Sequence, residues 1–125
     1  MTLSGRDLEG AWRLERWSFE YDDGRPSEYP LGQEARGLLL YLPDGALSAT
    51  LMSTSPPPAS LAYAGAWSVS DGAVHHAIEI ATDPALVGMT TRREVRLEGD
   101  RLVLTGADFR PGTGRHQQIV WRRRS

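Results

Sequence analysis

The stretch AVHHAIEI (residues 73–80) sets two histidines side by side and follows them with a glutamate. Imidazole and carboxylate are the groups that ligate a transition metal or move a proton in general acid–base catalysis, so His75, His76 and Glu79 are the first candidates for chemistry. Their spacing decides between these uses. Read as a strand, the segment alternates faces, and His76 shares the parity of Val74, Ile78 and Ile80, whereas His75, Ala77 and Glu79 face the other way. His76 and Glu79 would meet on a helix but diverge on a strand. His75 and Glu79 share a face at about 13 Å, too far apart to hold one ion. The only other histidine is His116 and there is no cysteine, so no metal site is expected.

A second polar residue falls on an apolar face in TRREVRLEGD (91–100). Arg93 has the parity of Val95 and Leu97, while Arg92, Glu94 and Arg96 form a charged outer face. An inward guanidinium is costly unless it is paired, hydrogen-bonded or in contact with water or a ligand. Two readings stand side by side: His76 and Arg93 form a polar spot inside an apolar interior, or both sit near the end of the sheet, partly solvated. A ligand carbonyl or carboxylate is the natural partner under the first. Tyr41 in GLLLYLPDG, and Tyr63 and Trp67 in YAGAWSV, could present a hydroxyl or an indole N–H to the same space. The parity of Tyr41 is ambiguous within an all-apolar run. That of the next segment is not, since Leu47, Ala49 and Leu51 alternate with Ser48 and Thr50.

The elements that must position these residues are short. Turn signals recur as DDG (22–24), PDG (43–45), SDG (70–72), EGD (98–100) and PGTG (111–114). The runs between them are rich in Leu, Val, Ile, Trp and Tyr and bounded as hairpin strands are. This predicts strands over 11–21, 36–42, 46–53, 62–70, 73–81, 90–98, 101–106 and 116–123. About eight strands in one small all-β domain, residues 1–125, point to a closed antiparallel up-and-down barrel, because closure removes exposed edges. SGRDLEG offers Ser4 as an N-cap, Asp7 three residues on and Gly10 as a stop, enough for one short helix over 4–9 that could cover a barrel end. STSPPPAS (53–60) reads as a stiff polyproline loop, placed at the barrel mouth.

Composition narrows the function. A chain of 125 residues with 40% hydrophobic and 24% charged side chains and a net charge of −2 is an ordinary globular protein, without the basic balance of a nucleic-acid binder. No apolar run approaches the roughly 20 residues that cross a bilayer as a helix. The start, MTLSGRDLEGAWRLERW, lacks the pattern of a secretory signal, so a cytoplasmic location is expected. The C-terminal Arg122–Arg124 run reads as a solvated strand end. There is no Gly-x-Ser-x-Gly elbow, no paired-carboxylate arrangement and no glycine-rich phosphate loop before a helix, which argues against hydrolases and nucleotide cofactors. No cofactor is expected.

Several segments taken in order resemble a known group. LEGAWRLERWSFEYDDG carries a Gly-x-Trp first strand as Gly10 and Trp12, followed by PLG (30–32), GLLLYLPDGALSATLM (37–52), YAGAWSV (63–69), VHHAIEIATDPALVG (74–88), RREVRLEGDRLVLTG (92–106) and IVWRR (119–123). The sequence is similar, over nearly its whole length, to the bacterial and fungal lipocalin-like domain family of single-domain barrels. Ala11 stands where that family usually has threonine. The resemblance implies that the family's recurrent histidine falls on His76 and its strand arginine on Arg93. A second family histidine falls on Ala77, leaving His75 out of register. It also implies that Trp12 plugs one barrel end with Arg123 across it.

A barrel with an apolar interior and few polar groups suits a small hydrophobic or polyketide-like ligand, bound by Tyr41, Tyr63, Trp67, His76 and Arg93. A cofactor-free cyclase or isomerase acting on a natural-product intermediate is the alternative. There, Arg93 or Tyr41 would polarise a carbonyl and His76 would move a proton. A third reading, a structural or protein-partner role, would use the outer face. Monomer and dimer are equally compatible with the pattern.

Overall fold

The computed structural model describes residues 3–108 and 112–124. Eight strands form a closed antiparallel barrel in simple sequence order: β1 (Gly10–Tyr21), β2 (Arg36–Tyr41), β3 (Ala46–Met52), β4 (Ser60–Ser70), β5 (Ala73–Ala81), β6 (Thr90–Glu98), β7 (Arg101–Ala107) and β8 (Arg115–Arg123). The sheet closes where β8 pairs with β1, from Trp12 opposite Arg123 to Tyr21 opposite Arg115. The expected strands are all present, with ends within two residues of those read from the turn signals. The expected helix over 4–9 is reduced to a single 3-10 turn, Gly5–Asp7. In it the Asp7 carboxylate accepts from the Ser4 backbone N–H at 2.9 Å. The run before Gly10 is too short to add further turns.

In an up-and-down barrel, alternate connections lie at the same end. The β2–β3, β4–β5 and β6–β7 turns share one end with both termini, and that end is sealed. Trp12 is fully buried there, its indole N–H donates to the Leu8 carbonyl at 3.0 Å, and the Arg123 guanidinium lies 4.1 Å from the ring centroid. Arg123 also donates to the Glu9 and Asp7 carbonyls at 2.9 and 2.8 Å, so one side chain ties the N-terminal segment across the indole. The implied plug and its arginine are therefore both in place. Leu39, Tyr41, Leu47, Ala49, Val74, Leu102 and Leu104 complete the packed core. The inner face expected for β3, Leu47, Ala49 and Leu51, is buried, and β2 resolves its ambiguity by turning Leu39 and Tyr41 inward.

Strict alternation fails at two bulges. In β1 the register slips between Leu14 and Arg16, which brings Trp12 and Leu14 inside before the bulge and Trp17 and Phe19 inside after it. In β5, Gly65 of β4 faces Ile78 and Ala64 faces Ile80, so Glu79 is the extra residue. Ile80, expected inside by parity, is consequently turned out and is 66% exposed. The kink brings the β5 backbone so close to Gly65 that a Cβ there would collide with the Ala77 carbonyl, which explains a glycine inside a strand.

The opposite end carries the longer connections. Residues 53–59, the proline loop, are closed by bonds from the Ser53 N–H to the Ala59 carbonyl and from the Ala59 N–H to the Ser53 hydroxyl, at 2.9 and 3.0 Å. The Pro56–Pro57 peptide is cis. The connection after β1 folds back and pairs Glu28 with Phe19, and Pro84–Leu86 forms a second 3-10 turn.

Because Trp12 fills the sealed end, Trp12→Ala is expected to cost about 3–5 kcal/mol, the range for large-to-small core changes. Urea denaturation measures it, and an unchanged midpoint would show that the indole does not hold that end.

Candidate functional site

The open end leads into a cavity of about 530 Å³. Its wall is largely apolar, with Trp17, Phe19, Leu31, Ile78, Leu86 and Ile119 among the lining side chains. One side is polar. His76 from β5 and Arg93 from β6 both line it, as the parity argument expects, and they are 3% and 7% exposed. The reading that places both in the interior therefore holds over the one that solvates them at a strand end.

His76 is held through both ring nitrogens. Tyr41 Oη lies 2.6 Å from Nε2 and Tyr63 Oη 2.8 Å from Nδ1. Three strands build this chain. Tyr41 comes from the end of β2, Tyr63 from β4 and His76 from β5, and β2 meets the other two only across the barrel interior. Tyr63, like His76, lines the cavity; Tyr41 lies behind the imidazole, with its ring 4.7 Å from that of Trp67. Trp67 stands outside the cavity lining, and its indole N–H donates to the Leu42 carbonyl at 2.9 Å. Of the five residues singled out for ligand contact, Tyr63, His76 and Arg93 thus share the wall, while Tyr41 and Trp67 support it from behind.

Arg93 donates to the carbonyl of Arg92 at 3.3 Å. Its stem is admitted by Gly106 on β7, where a Cβ would lie 2.6 Å from the Arg93 Cδ. This glycine inside a strand is a second signal for the arginine that alternation already turns inward. Other residues of the wall escaped sequence reading. Gln117 accepts from the Trp17 indole at 3.2 Å, and Thr91 and Trp121 line the cavity with Oγ1 and Nε1 unpartnered among the described residues. At the rim, Arg115 pairs with Asp108 at 2.6 Å and lies 3.9 Å from the Phe19 ring centroid.

The two remaining histidines lie apart from this chain. His75 points outward, 3.0 Å from the Ser70 hydroxyl, and His116 lies 3.6 Å from the Asp22 carboxylate. Among the described residues no three His, Cys, Asp or Glu side chains converge on a point that could hold a metal ion.

Burial sets the charge states. Loss of solvent, with the Arg93 charge and then His75 adding to it, pushes the His76 ring down to about 3. Burial raises Tyr63 to about 12 and Tyr41 well above its ordinary value, with Arg93 opposing both. Burial also lowers Arg93, against the influence of the two tyrosines. The site at neutral pH is therefore a neutral Tyr–His–Tyr chain beside one guanidinium.

The lipocalin-like domain model matches residues 9–61 and 57–124. The chain belongs to the lipocalin-like domain family. Among solved structures it is similar to a redesigned β-barrel, at 16% identity and a TM-score of 0.56 over 100% of this chain and 98% of that one. It is also similar to a de novo designed fluorescence-activating β-barrel, at 16% identity and a TM-score of 0.54 over 99% and 100% of the two chains. At that identity the likeness is one of fold. No curated protein matches the sequence. This lipocalin-like barrel has no described helix long and apolar enough to cross a membrane.

The depressed His76 carries a pH signature. Below its ordinary pKa near 6.5 the unfolded chain protonates this ring while the fold keeps it neutral. The unfolded state then binds more protons, so stability falls as pH drops from about 6.5 towards about 3. The expected slope from this residue is up to about 1.4 kcal/mol per pH unit. Urea midpoints of the parent and His76→Phe, compared between about pH 6.5 and 5, should show that slope in the parent alone; parallel curves would mean His76 titrates normally.

Proposed function

We propose that this barrel binds a small hydrophobic, polyketide-like molecule in its interior. The observation that carries the reading is the cavity itself, about 530 Å³ of largely apolar space with His76, Arg93 and Tyr63 gathered on one wall. A volume in this range suits a small organic molecule, and a few convergent polar groups in an apolar pocket orient such a ligand. The apolar wall supplies affinity through burial, and Arg93 supplies a positively charged donor for a carbonyl or carboxylate. A cytoplasmic location belongs to the same proposal.

A cofactor-free cyclase or isomerase would use the same space, its shape folding a precursor while Arg93 polarised a carbonyl. The geometry supports binding more strongly. A ring pushed down to about 3 and bonded through both nitrogens is a weak proton acceptor, so His76 is poorly suited to the transfer that catalysis would ask of it.

Native mass spectrometry of the purified protein, followed by titration with the co-purified compound or a fluorescent apolar dye, tests the proposal. Arg93→Met keeps the apolar volume of the stem. It should remain folded and weaken binding of an oxygen-bearing ligand at least about tenfold, roughly 1.4 kcal/mol. A folded variant that binds as the parent does would make Arg93 a structural residue. In the same preparations His76→Phe should abolish turnover only if the barrel catalyses.

A further inference from the structure

We infer that the order of protons along Tyr41, His76 and Tyr63 makes the Tyr63 hydroxyl a committed donor that selects ligands carrying a carbonyl oxygen. The inference deepens the binding reading and rests on it.

Tyr41 is 0% exposed, and among the described residues its hydroxyl has one hydrogen-bond partner, Nε2 of His76 at 2.6 Å. A neutral imidazole has one N–H and one acceptor nitrogen. If the proton sat on Nε2, Tyr41 would accept it and its own O–H would be left buried without an acceptor, a cost of about 1–3 kcal/mol. The arrangement that satisfies Tyr41 has its O–H donating to Nε2, which places the ring proton on Nδ1. Nδ1–H then donates to Tyr63 Oη at 2.8 Å.

Tyr63 is thereby fixed as an acceptor towards His76, and its own proton must go elsewhere. It makes no other hydrogen bond among the described residues, and it lines the cavity. Each bond in such a chain polarises the next, so the terminal O–H is a better donor than an isolated phenol. Two further groups of the wall beside it have the same sense. Trp121 Nε1, a group that can only donate, is buried and unpartnered among the described residues, and Arg93 has no acceptor atom at all. Donors facing an apolar space define their complement: a ketone, ester or similar carbonyl on a hydrophobic body. A pure hydrocarbon of the same shape would leave the Tyr63 proton unmet.

Two measurements test this, the first without any ligand. Nitrogen NMR of the His76 ring should show a protonated Nδ1 and a pyridine-like Nε2; the reverse tautomer overturns the proton order. The second compares an aminonaphthyl ketone, whose emission moves to the red when its carbonyl accepts a hydrogen bond, with its carbonyl-free alkyl analogue. The parent should prefer the ketone at least about tenfold and show the red-shifted emission. Tyr63→Phe should lose both the preference and the shift, while its affinity for the alkyl analogue stays within about twofold. Tyr41→Phe, which leaves the cavity wall intact, should reduce the preference by a smaller factor and provides the test should Tyr63→Phe fail to fold. A ketone preference retained in folded Tyr63→Phe, or undiminished in folded Tyr41→Phe, overturns the inference. If neither probe binds the parent, the binding reading fails and the donor role of Tyr63 with it, whereas the nitrogen spectrum still decides the tautomer.

Discussion

Pairing of β8 with β1 closes the sheet, and that closure governs what every other residue can do. Once the barrel is closed, half of each strand's side chains must share a single interior. A polar residue with inward parity has no edge at which to escape. His76 and Arg93 are inside for this reason, and each must be satisfied by what else points inward. Closure also brings Tyr41, from β2, within reach of β5. In an open sheet with the same strand order, two strands would separate them and the Tyr–His–Tyr chain could not form.

The two ends of the tube are built differently. The sealed end combines a fully buried Trp12, a cation–π contact worth about 0.5–2 kcal/mol and two guanidinium-to-carbonyl bonds from Arg123. The open end holds its connections through a 3-10 turn, a backbone bridge at Phe19–Glu28 and the Arg115–Asp108 pair. By contrast, the outward ion pairs of β6, Arg92 with Glu94 and Arg96 with Glu98, join exposed side chains and contribute little to stability. Packing is thus concentrated at one end, which leaves room at the other for a ligand without opening the sheet.

Most of the fold was legible in the sequence because turn residues and alternation are local signals. DDG, PDG, SDG and EGD mark chain reversals, and they set strand ends to within two residues. The site was legible only where alternation was undisturbed: Val74, His76 and Ile78 read correctly, and so did Arg93, Val95 and Leu97. It failed at Ile80, since a bulge at Glu79 depends on how β5 sits against Gly65, a relation between strands that no single strand records. The β1 bulge likewise hid the fact that Trp12 and Trp17, five apart and of opposite parity, both face inward. The glycines opposite these features were the available clue. Gly65 makes room for a bulge and Gly106 for the Arg93 stem, and a glycine within a strand reports a close approach without naming the partner.

The division of labour among the candidate residues follows from depth. Tyr41 is too deeply buried to meet a ligand, and because it is buried its proton has one place to go. In the proposed proton order His76 converts that constraint into an orientation for Tyr63, the tyrosine that lines the cavity. A histidine used in this way does not need to titrate, and burial beside Arg93 ensures that it does not do so near neutrality. Under the proposed proton order, the inward histidine serves as a spacer between the buried Tyr41 and the cavity-lining Tyr63. Its place between a fully buried hydroxyl and a cavity-lining one is what links the packed core to the wall of the cavity.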